Sequence, residues 1–169
     1  MEQKFSGKVW KLPDDVDTDT IIAGRYGVIV DKKEMGSHCL ETLRPEFAST
    51  VQPGDILVAG KNFGCGSSRE MAPESIAVHG VYCIVAKSFA RIFFRNAINN
   101  GMLLIESAEL PDYCSEGDVL TVEVNHKAIV NGKEFPIPKV PQNLFAIIQD
   151  GGLIPNTVKR MRSAEGEEN

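Results

Sequence analysis

Apolar and polar positions along the chain predict a central block of buried strands alternating with helices. Residues 5–12 alternate between apolar and polar types, as expected for an opening strand. Short apolar runs at 56–59, 81–86 and 102–105 are each separated by a helical pattern that ends in glycine, and the second of these patterns predicts a helix from Lys87 to Asn99. Strands that alternate with helices over short loops are typical of a parallel sheet. Residues 56–105 therefore predict an α/β fold.

The pattern changes after this block. Apolar runs at 119–124 and 128–130 are followed by Asn131-Gly132, a dipeptide suited to a two-residue hairpin turn. The sheet should therefore continue with antiparallel strands. A final helix is predicted over 144–149.

Length and composition set the domain organisation and exclude some partners. A chain of 169 residues suits one domain, which we expect over residues 1–155, followed by a polar acidic tail over 156–169. The net charge of -5 argues against binding to nucleic acid, which needs clustered lysine and arginine. A signal peptide and a membrane-spanning run of about 18 apolar residues are both missing from the sequence, so we expect a cytoplasmic protein.

The four cysteines do not form a metal-binding pattern. Cys39, Cys65, Cys83 and Cys114 are scattered, with no C-x-x-C pair and no histidine at a zinc-site spacing. We therefore expect the chain to hold no metal by itself and its thiols to be reduced.

Residues 60–70 form a glycine-punctuated loop that leads into a helical pattern. Glycines let backbone N–H groups approach a ligand closely, and Arg69 adds a bidentate fork suited to a carboxylate or phosphate. Ser67 and Ser68 place two hydroxyls beside it. The lysine of a phosphate-binding P-loop is missing at its position, and so is the dinucleotide spacing of glycines, which favours a carboxylate ligand.

Two interpretations of Ser67 are open from the loop alone. Arg69 and backbone donors could stabilise a serine alkoxide, which would make Ser67 a base. Alternatively, Ser67 and Glu70 form a capping box that only begins a helix. Pro73 counts against the simple cap, because proline is poorly tolerated beyond the first turn.

Three stretches together resemble one family. The chain is similar to the small subunits of isopropylmalate isomerase and homoaconitase, which resemble the C-terminal swivelling domain of aconitase. The similarity covers residues 5 to about 155 and implies a single swivelling β/β/α-type domain with mixed parallel and antiparallel strands. The stretches are Asp-Val-Asp-Thr-Asp-Thr-Ile-Ile at 15–22, the loop at 60–70 and Ala-Lys-Ser-Phe-Ala-Arg-Ile-Phe-Phe-Arg-Asn-Ala-Ile-Asn at 86–99.

The resemblance implies a hydro-lyase that converts 2-isopropylmalate to 3-isopropylmalate, a step of leucine biosynthesis, by dehydration and rehydration. It also implies a large subunit that carries a [4Fe-4S] cluster, in a heterodimer or heterotetramer. By the motif match, Ser67 removes the carbon-bound proton, Gly66, Ser68 and Arg69 bind substrate carboxylate, and Asp19 orients active-site groups. Asp19 could also be a simple turn or capping residue.

Residues 24–29 align with a loop that the family uses to distinguish substrates. Homoaconitases carry an arginine there for an extra carboxylate, whereas Val28 and Ile29 favour an alkyl group. Gly27 replaces a larger apolar residue, so dimethylmalate, citraconate or methylmalate, and homoaconitate remain alternative substrates. A non-enzymatic carboxylate-binding module is the alternative from another class.

Three further residues stay outside the predicted chemistry. Arg91 and Arg95 share one helix face, where we expect salt bridges or subunit contacts. Cys65 either has a packing role only or becomes an exposed thiol when the partner subunit is absent.

Overall fold

The computed structural model describes residues 3–167 and contains one seven-stranded sheet in the order β4-β3-β2-β1-β5-β6-β7. Strands β1 to β4 pair in parallel, and the pairs β1–β5, β5–β6 and β6–β7 are antiparallel. The predicted α/β fold with mixed strands is therefore confirmed. The strands are β1 Lys4–Lys11, β2 Ile56–Ala59, β3 Cys83–Ala86, β4 Leu103–Glu106, β5 Val119–Glu123, β6 Lys127–Val130 and β7 Lys133–Pro136.

Eight α-helices and one 3-10 helix are found in the described part of the chain. They are α1 Thr18–Ile21, the 3-10 helix Gly24–Val28, α2 Lys32–Gly36, α3 Phe47–Thr50, α4 Met71–Ala77, α5 Arg91–Asn99, α6 Leu110–Tyr113, α7 Gln142–Gln149 and α8 Leu153–Glu167.

Strand β2 shows why the central strands read as continuous apolar runs. All four of its residues are buried, because both faces of this part of the sheet are covered. Successive side chains of a strand point to opposite faces. Leu57 and Ala59 accordingly join one core cluster with Trp10, while Ile56 and Val58 join a second cluster on the other face.

The predicted hairpin turn is confirmed. Asn131 and Gly132 connect β6 to β7 with φ angles of 50° and 76°, the positive pair that a type I′ turn requires.

Two helix predictions need correction. The helix expected from Lys87 begins only at Arg91, because the preceding residues are tied to the loop of residues 60–70. Phe63 N–H donates to the Ser88 carbonyl, and Ala90 N–H donates to the Phe63 carbonyl. The helix predicted over 144–149 is present as α7, but it is not the last helix of the chain.

The chain turns at Gly151 and Gly152, with φ angles of 85° and 133°, and then forms α8. The sequence pattern did not reveal α8 because most of its residues are exposed and few of them need to be apolar. The boundary between a domain at 1–155 and a tail at 156–169 remains a prediction.

The buried carboxylate of Asp55 links β1 to the turn before β2, and we expect its loss to destabilise the fold. Asp55 Oδ2 accepts the Trp10 indole N–H and the Gln52 backbone N–H, each at 2.9 Å. Asp55→Ala leaves both donors without an acceptor and should lower the free energy of unfolding by about 2–4 kcal/mol in urea denaturation. The control Asp31→Ala, at the exposed N-cap of α2, should cost about 1 kcal/mol. Equal losses in the two variants would contradict the role given to Asp55.

Candidate active site

The candidate site lies where two loops meet at the carboxyl ends of the parallel strands β1 and β2. Ligands of open α/β sheets bind outside this edge. One loop follows β1 and leads into α1, and the other, residues 60–70, follows β2. Backbone bonds tie the loops together: Asp15 N to Lys61 O at 2.8 Å, Gly64 N to Val16 O at 2.7 Å, and Thr18 N to Cys65 O at 2.8 Å.

The crowding of four aspartates around the start of α1 has a structural cause. Three of the four accept an N–H from the same two loops, which satisfies backbone and side-chain donors that the turns leave free. The bonds run from Lys61 N to Asp14 Oδ1 at 2.7 Å, from Asn62 Nδ2 to Asp15 Oδ1 at 3.2 Å, and from Thr20 N to Asp17 Oδ1 at 2.6 Å. The fourth, Asp19, makes a different contact.

The hydroxyl of Ser67 is held by Thr18. The two hydroxyl oxygens are 2.9 Å apart, and the Ser67 backbone N–H donates to Thr18 Oγ1 over 3.1 Å. Helix α4 begins at Met71, with Glu70 as an N-cap that makes no side-chain bond, so the capping-box interpretation of Ser67 is wrong.

Thr18 was missed by the sequence reasoning, although it lies within one of the three matching stretches. A threonine between two aspartates is typical of a turn. Its partner lies 49 residues away, so only the meeting of the two loops reveals the contact.

Arg69 and Asp19, predicted to bind carboxylate and to orient active-site groups, form an ion pair between Nη1 and Oδ1. Gly24 lies directly against them: a side chain at this position would come within 2.6 to 2.8 Å of the guanidinium. The guanidinium therefore rests on the Gly24 backbone. Its remaining N–H groups make no hydrogen bond within residues 3–167.

The predicted carboxylate-binding residues Gly66 and Ser68 lie in the same exposed part of the loop. Gly66 has a φ of 99°, a conformation that residues with a side chain rarely adopt. A Cβ atom at this position would lie 3.4 Å from Thr18 Oγ1. The Ser68 carbonyl accepts a long bond of 3.4 Å from Asn96 Nδ2 of α5. The loop thus rests on α5 and presents Gly66, Ser67 and Ser68 outward.

The two residues of the predicted substrate loop differ in accessibility. Val28, at the end of the 3-10 helix, is 85% exposed and free to meet a ligand. Ile29 is partly buried and packs against the core cluster beside Tyr26. The structure brings this segment to the site through Gly24.

Arg91 and Arg95 are exposed on α5, and neither pairs with an acid in the part of the chain that the structure describes. The salt bridges we expected within the chain are therefore not formed there. Contact with a partner subunit remains a prediction for these two arginines.

Comparison with known proteins identifies the family. A model of the aconitase C-terminal domain matches residues 31–110. A 3-isopropylmalate dehydratase small subunit from Lachnospira eligens is 55% identical over 166 residues, covering 98% of this chain and 99% of that protein. The chain belongs to the family of 3-isopropylmalate dehydratase small subunits.

Other members agree with this assignment. The small subunit of Syntrophus aciditrophicus is 48% identical over 94% of this chain and 99% of its own length. The crystal structure of a 3-isopropylmalate dehydratase from Methanocaldococcus jannaschii superposes with a TM-score of 0.91 at 35% identity, covering 99% of this chain and 100% of that one. The resemblance inferred from the three sequence stretches, and the fold it implies, are confirmed.

The thiol of Cys65, beside the serines in this family member, is poorly ionised. Partial burial, then the charges of Asp17 and Asp15, raise its pKa above the ordinary value of 9.0. Burial raises the pKa of Cys39 and Cys83 to about 12 and that of Cys114 to about 11. Alkylating reagents act on the thiolate, so a raised pKa means less reactive sulfur at a given pH.

We therefore expect the native chain to be alkylated by iodoacetamide at pH 7.5 more slowly than glutathione. Cys65 should be modified before the three buried cysteines, and its rate should rise as the pH increases toward its raised pKa. Peptide mass spectrometry over a time course measures each site, with the Cys65→Ser variant as control. Reaction of Cys65 faster than glutathione would contradict this assignment.

Residues 3–167 contain neither a metal-binding cluster nor a membrane-spanning helix. No group of three or more His, Cys, Asp or Glu side chains in this range is arranged to hold a metal ion. None of the helices described is both long and apolar enough to cross a membrane.

Proposed function

We propose that this chain is the small subunit of a hydro-lyase that converts 2-isopropylmalate to 3-isopropylmalate in leucine biosynthesis. The observation that carries the proposal is the placement of the Ser67 hydroxyl and the Asp19–Arg69 ion pair on two joined loops. Its support from relatives is the 55% identity to a 3-isopropylmalate dehydratase small subunit over nearly the whole chain.

The residues of this chain can carry out two parts of the reaction, binding of the substrate carboxylate and transfer of the proton. The free N–H groups of Arg69, with the Ser68 hydroxyl and the Gly66 backbone, bind a substrate carboxylate. As an alkoxide, Ser67 Oγ removes a proton from the neighbouring carbon and becomes a neutral hydroxyl, the C–H electrons form the double bond, and the substrate hydroxyl leaves the adjacent carbon as hydroxide. In rehydration, hydroxide adds to the carbon that lost the proton, and Ser67 gives its proton to the carbon that lost the hydroxyl, which regenerates the alkoxide.

A large subunit is the second part of the proposal. A [4Fe-4S] cluster, which is held by several cysteine thiolates, does not fit residues 3–167, because no three Cys, His, Asp or Glu side chains there are grouped to hold a metal ion. Lewis-acid assistance to the departing hydroxyl would come from such a cluster on the large subunit. We infer a heterodimer or heterotetramer in the cytoplasm, where the four free thiols of this chain would remain reduced.

The substrate loop favours an alkyl group. Val28 is exposed and apolar. Arg25, the arginine of this stretch, pairs with Glu41 at 3.3 Å and lies 4.7 Å from the centre of the Tyr26 ring, so part of its guanidinium is directed to residues of this chain. Dimethylmalate, citraconate or methylmalate, and homoaconitate are the alternatives that a substrate panel separates.

The panel compares kcat/KM for 2-isopropylmalate, dimethylmalate, citraconate and homoaconitate on the enzyme reconstituted with a cluster-bearing large subunit. We expect 2-isopropylmalate to be preferred, and Val28→Arg to move the preference toward homoaconitate because it adds a cation for the extra carboxylate. The matched control is Val30→Arg, at a position that is 95% exposed and two residues further on. A preference of the unmodified enzyme for homoaconitate would contradict the loop assignment. Turnover of none of these substrates would favour a carboxylate-binding module.

A further inference from the structure

Thr18 is more deeply buried than any of the predicted site residues. Thr18 is only 2% exposed, whereas Ser67 and Asp19 are exposed to solvent. Its backbone N–H donates to the Cys65 carbonyl at 2.8 Å, and its carbonyl accepts from Ile22 N–H at 2.9 Å. The Thr18 hydroxyl is thus held at a set position beneath the loop that carries Ser67.

Counting donors and acceptors shows what the Thr18 hydroxyl can do. Its oxygen accepts the Ser67 backbone N–H, which leaves one lone pair and its own hydrogen for the Ser67 hydroxyl 2.9 Å away. A neutral serine can donate to that lone pair. A serine alkoxide can only accept, so the threonine hydrogen then turns to it. The contact therefore persists in both protonation states with its direction reversed.

Asp19 and the histidines, which could otherwise take the proton of Ser67, are engaged elsewhere. Asp19 pairs with Arg69. The three histidines contact other partners: His38 Nδ1 lies 2.9 Å from Glu41, His79 Nε2 lies 2.8 Å from the Gly36 carbonyl, and His126 Nε2 lies 3.8 Å from Glu123. Within residues 3–167, Thr18 is the one side chain hydrogen-bonded to Ser67 Oγ.

We propose that Thr18 is a positioning residue of the reaction: its buried hydroxyl aims Ser67 Oγ and donates a hydrogen bond to it when the serine is deprotonated. The inference rests on the proposed function, because it requires Ser67 to act as the base. A preorganised donor aimed at a developing anion lowers the barrier without reorganisation during the reaction. Loss of one such donor costs about 100- to 1,000-fold in rate in well-studied enzymes.

The test compares Thr18→Val, Thr18→Ser and wild type in the enzyme reconstituted with the large subunit. Valine keeps the shape without the hydroxyl, and serine keeps the hydroxyl. We expect Thr18→Val to lower kcat about 100-fold with little change in KM. The acidic limb of its pH–rate profile should move to higher pH, because the alkoxide loses a donor. Thr18→Ser should recover most of the rate. The matched control Thr20→Val, in the same helix, should behave as wild type.

Two results would overturn the inference while leaving the proposed function intact. A wild-type kcat and pH profile in Thr18→Val would show that the hydroxyl is not used. Equal loss in Thr18→Val and Thr18→Ser, with a lowered melting temperature in both, would show a packing role only. Should Thr18→Val not fold, Thr18→Ala is measured in its place against the same criteria. An inactive wild-type enzyme would instead refute the proposed function, and the inference with it.

Discussion

Ser67→Ala should lower kcat at least about a thousandfold, the scale seen when a catalytic base or nucleophile is removed. The variant loses the one oxygen that we assign to carry the substrate proton. Its backbone N–H can still donate to Thr18 Oγ1, so the loop keeps one of its two contacts there. The measurement is turnover of 2-isopropylmalate by the reconstituted enzyme, read as alkene absorbance.

The control for this variant is Ser68→Ala, which removes a neighbouring hydroxyl from the same exposed loop. It should mainly raise KM, because Ser68 is assigned to binding. Both variants should assemble with the large subunit as wild type does, as measured by size-exclusion chromatography. Wild-type turnover in Ser67→Ala would contradict the assignment of Ser67 as the base and would leave it only a structural contact with Thr18.

Arg69→Ala should lower kcat/KM by about 10- to 150-fold, since a hydrogen bond to a charged group contributes about 1.5–3 kcal/mol and each 1.4 kcal/mol is a factor of ten. The loss has two parts. The substrate carboxylate loses its cation, and Asp19 loses its partner, which places an unpaired negative charge beside the anionic substrate. Arg69→Lys should recover only part of the effect, because an ammonium cannot bind Asp19 and a carboxylate through one planar fork.

Arg162→Lys, in the exposed part of α8, is the matched control and should leave kcat/KM unchanged. A second variant, Gly24→Ala, tests the contact between the Gly24 backbone and the Arg69 guanidinium without removing the charge of Arg69. The added methyl group would come within 2.6 Å of Arg69 Nη1 and should displace the side chain, raising KM. Unchanged kcat/KM in Arg69→Ala would contradict its role as the carboxylate clamp.

Much of the fold could be predicted because its signals are local. The buried run of β2 is bounded by Pro53-Gly54 and by Gly60, and the Asn131-Gly132 turn specifies its own geometry. These features depend on residues within a few positions of each other, so sequence patterns reveal them.

What could not be predicted depends on contacts between distant segments. Helix α5 begins at Arg91 because the residues before it bond to the loop around Phe63, a constraint absent from the helical pattern itself. The pairing of Arg69 with Asp19 spans 50 positions, and that of Ser67 with Thr18 spans 49. The family resemblance supplied Ser67, Arg69 and Asp19 as candidates, but their mutual geometry follows only from the parallel pairing of β1 and β2.

The most direct test of the central proposal is a titration of this chain into a fixed amount of cluster-bearing large subunit with 2-isopropylmalate present. Alkene absorbance and 3-isopropylmalate formation are followed together. We expect neither protein alone to turn over substrate, and the rate of the mixture to rise with added chain to a plateau at a fixed ratio. Turnover by the large subunit alone at the plateau rate, or none at any ratio, would contradict the proposal.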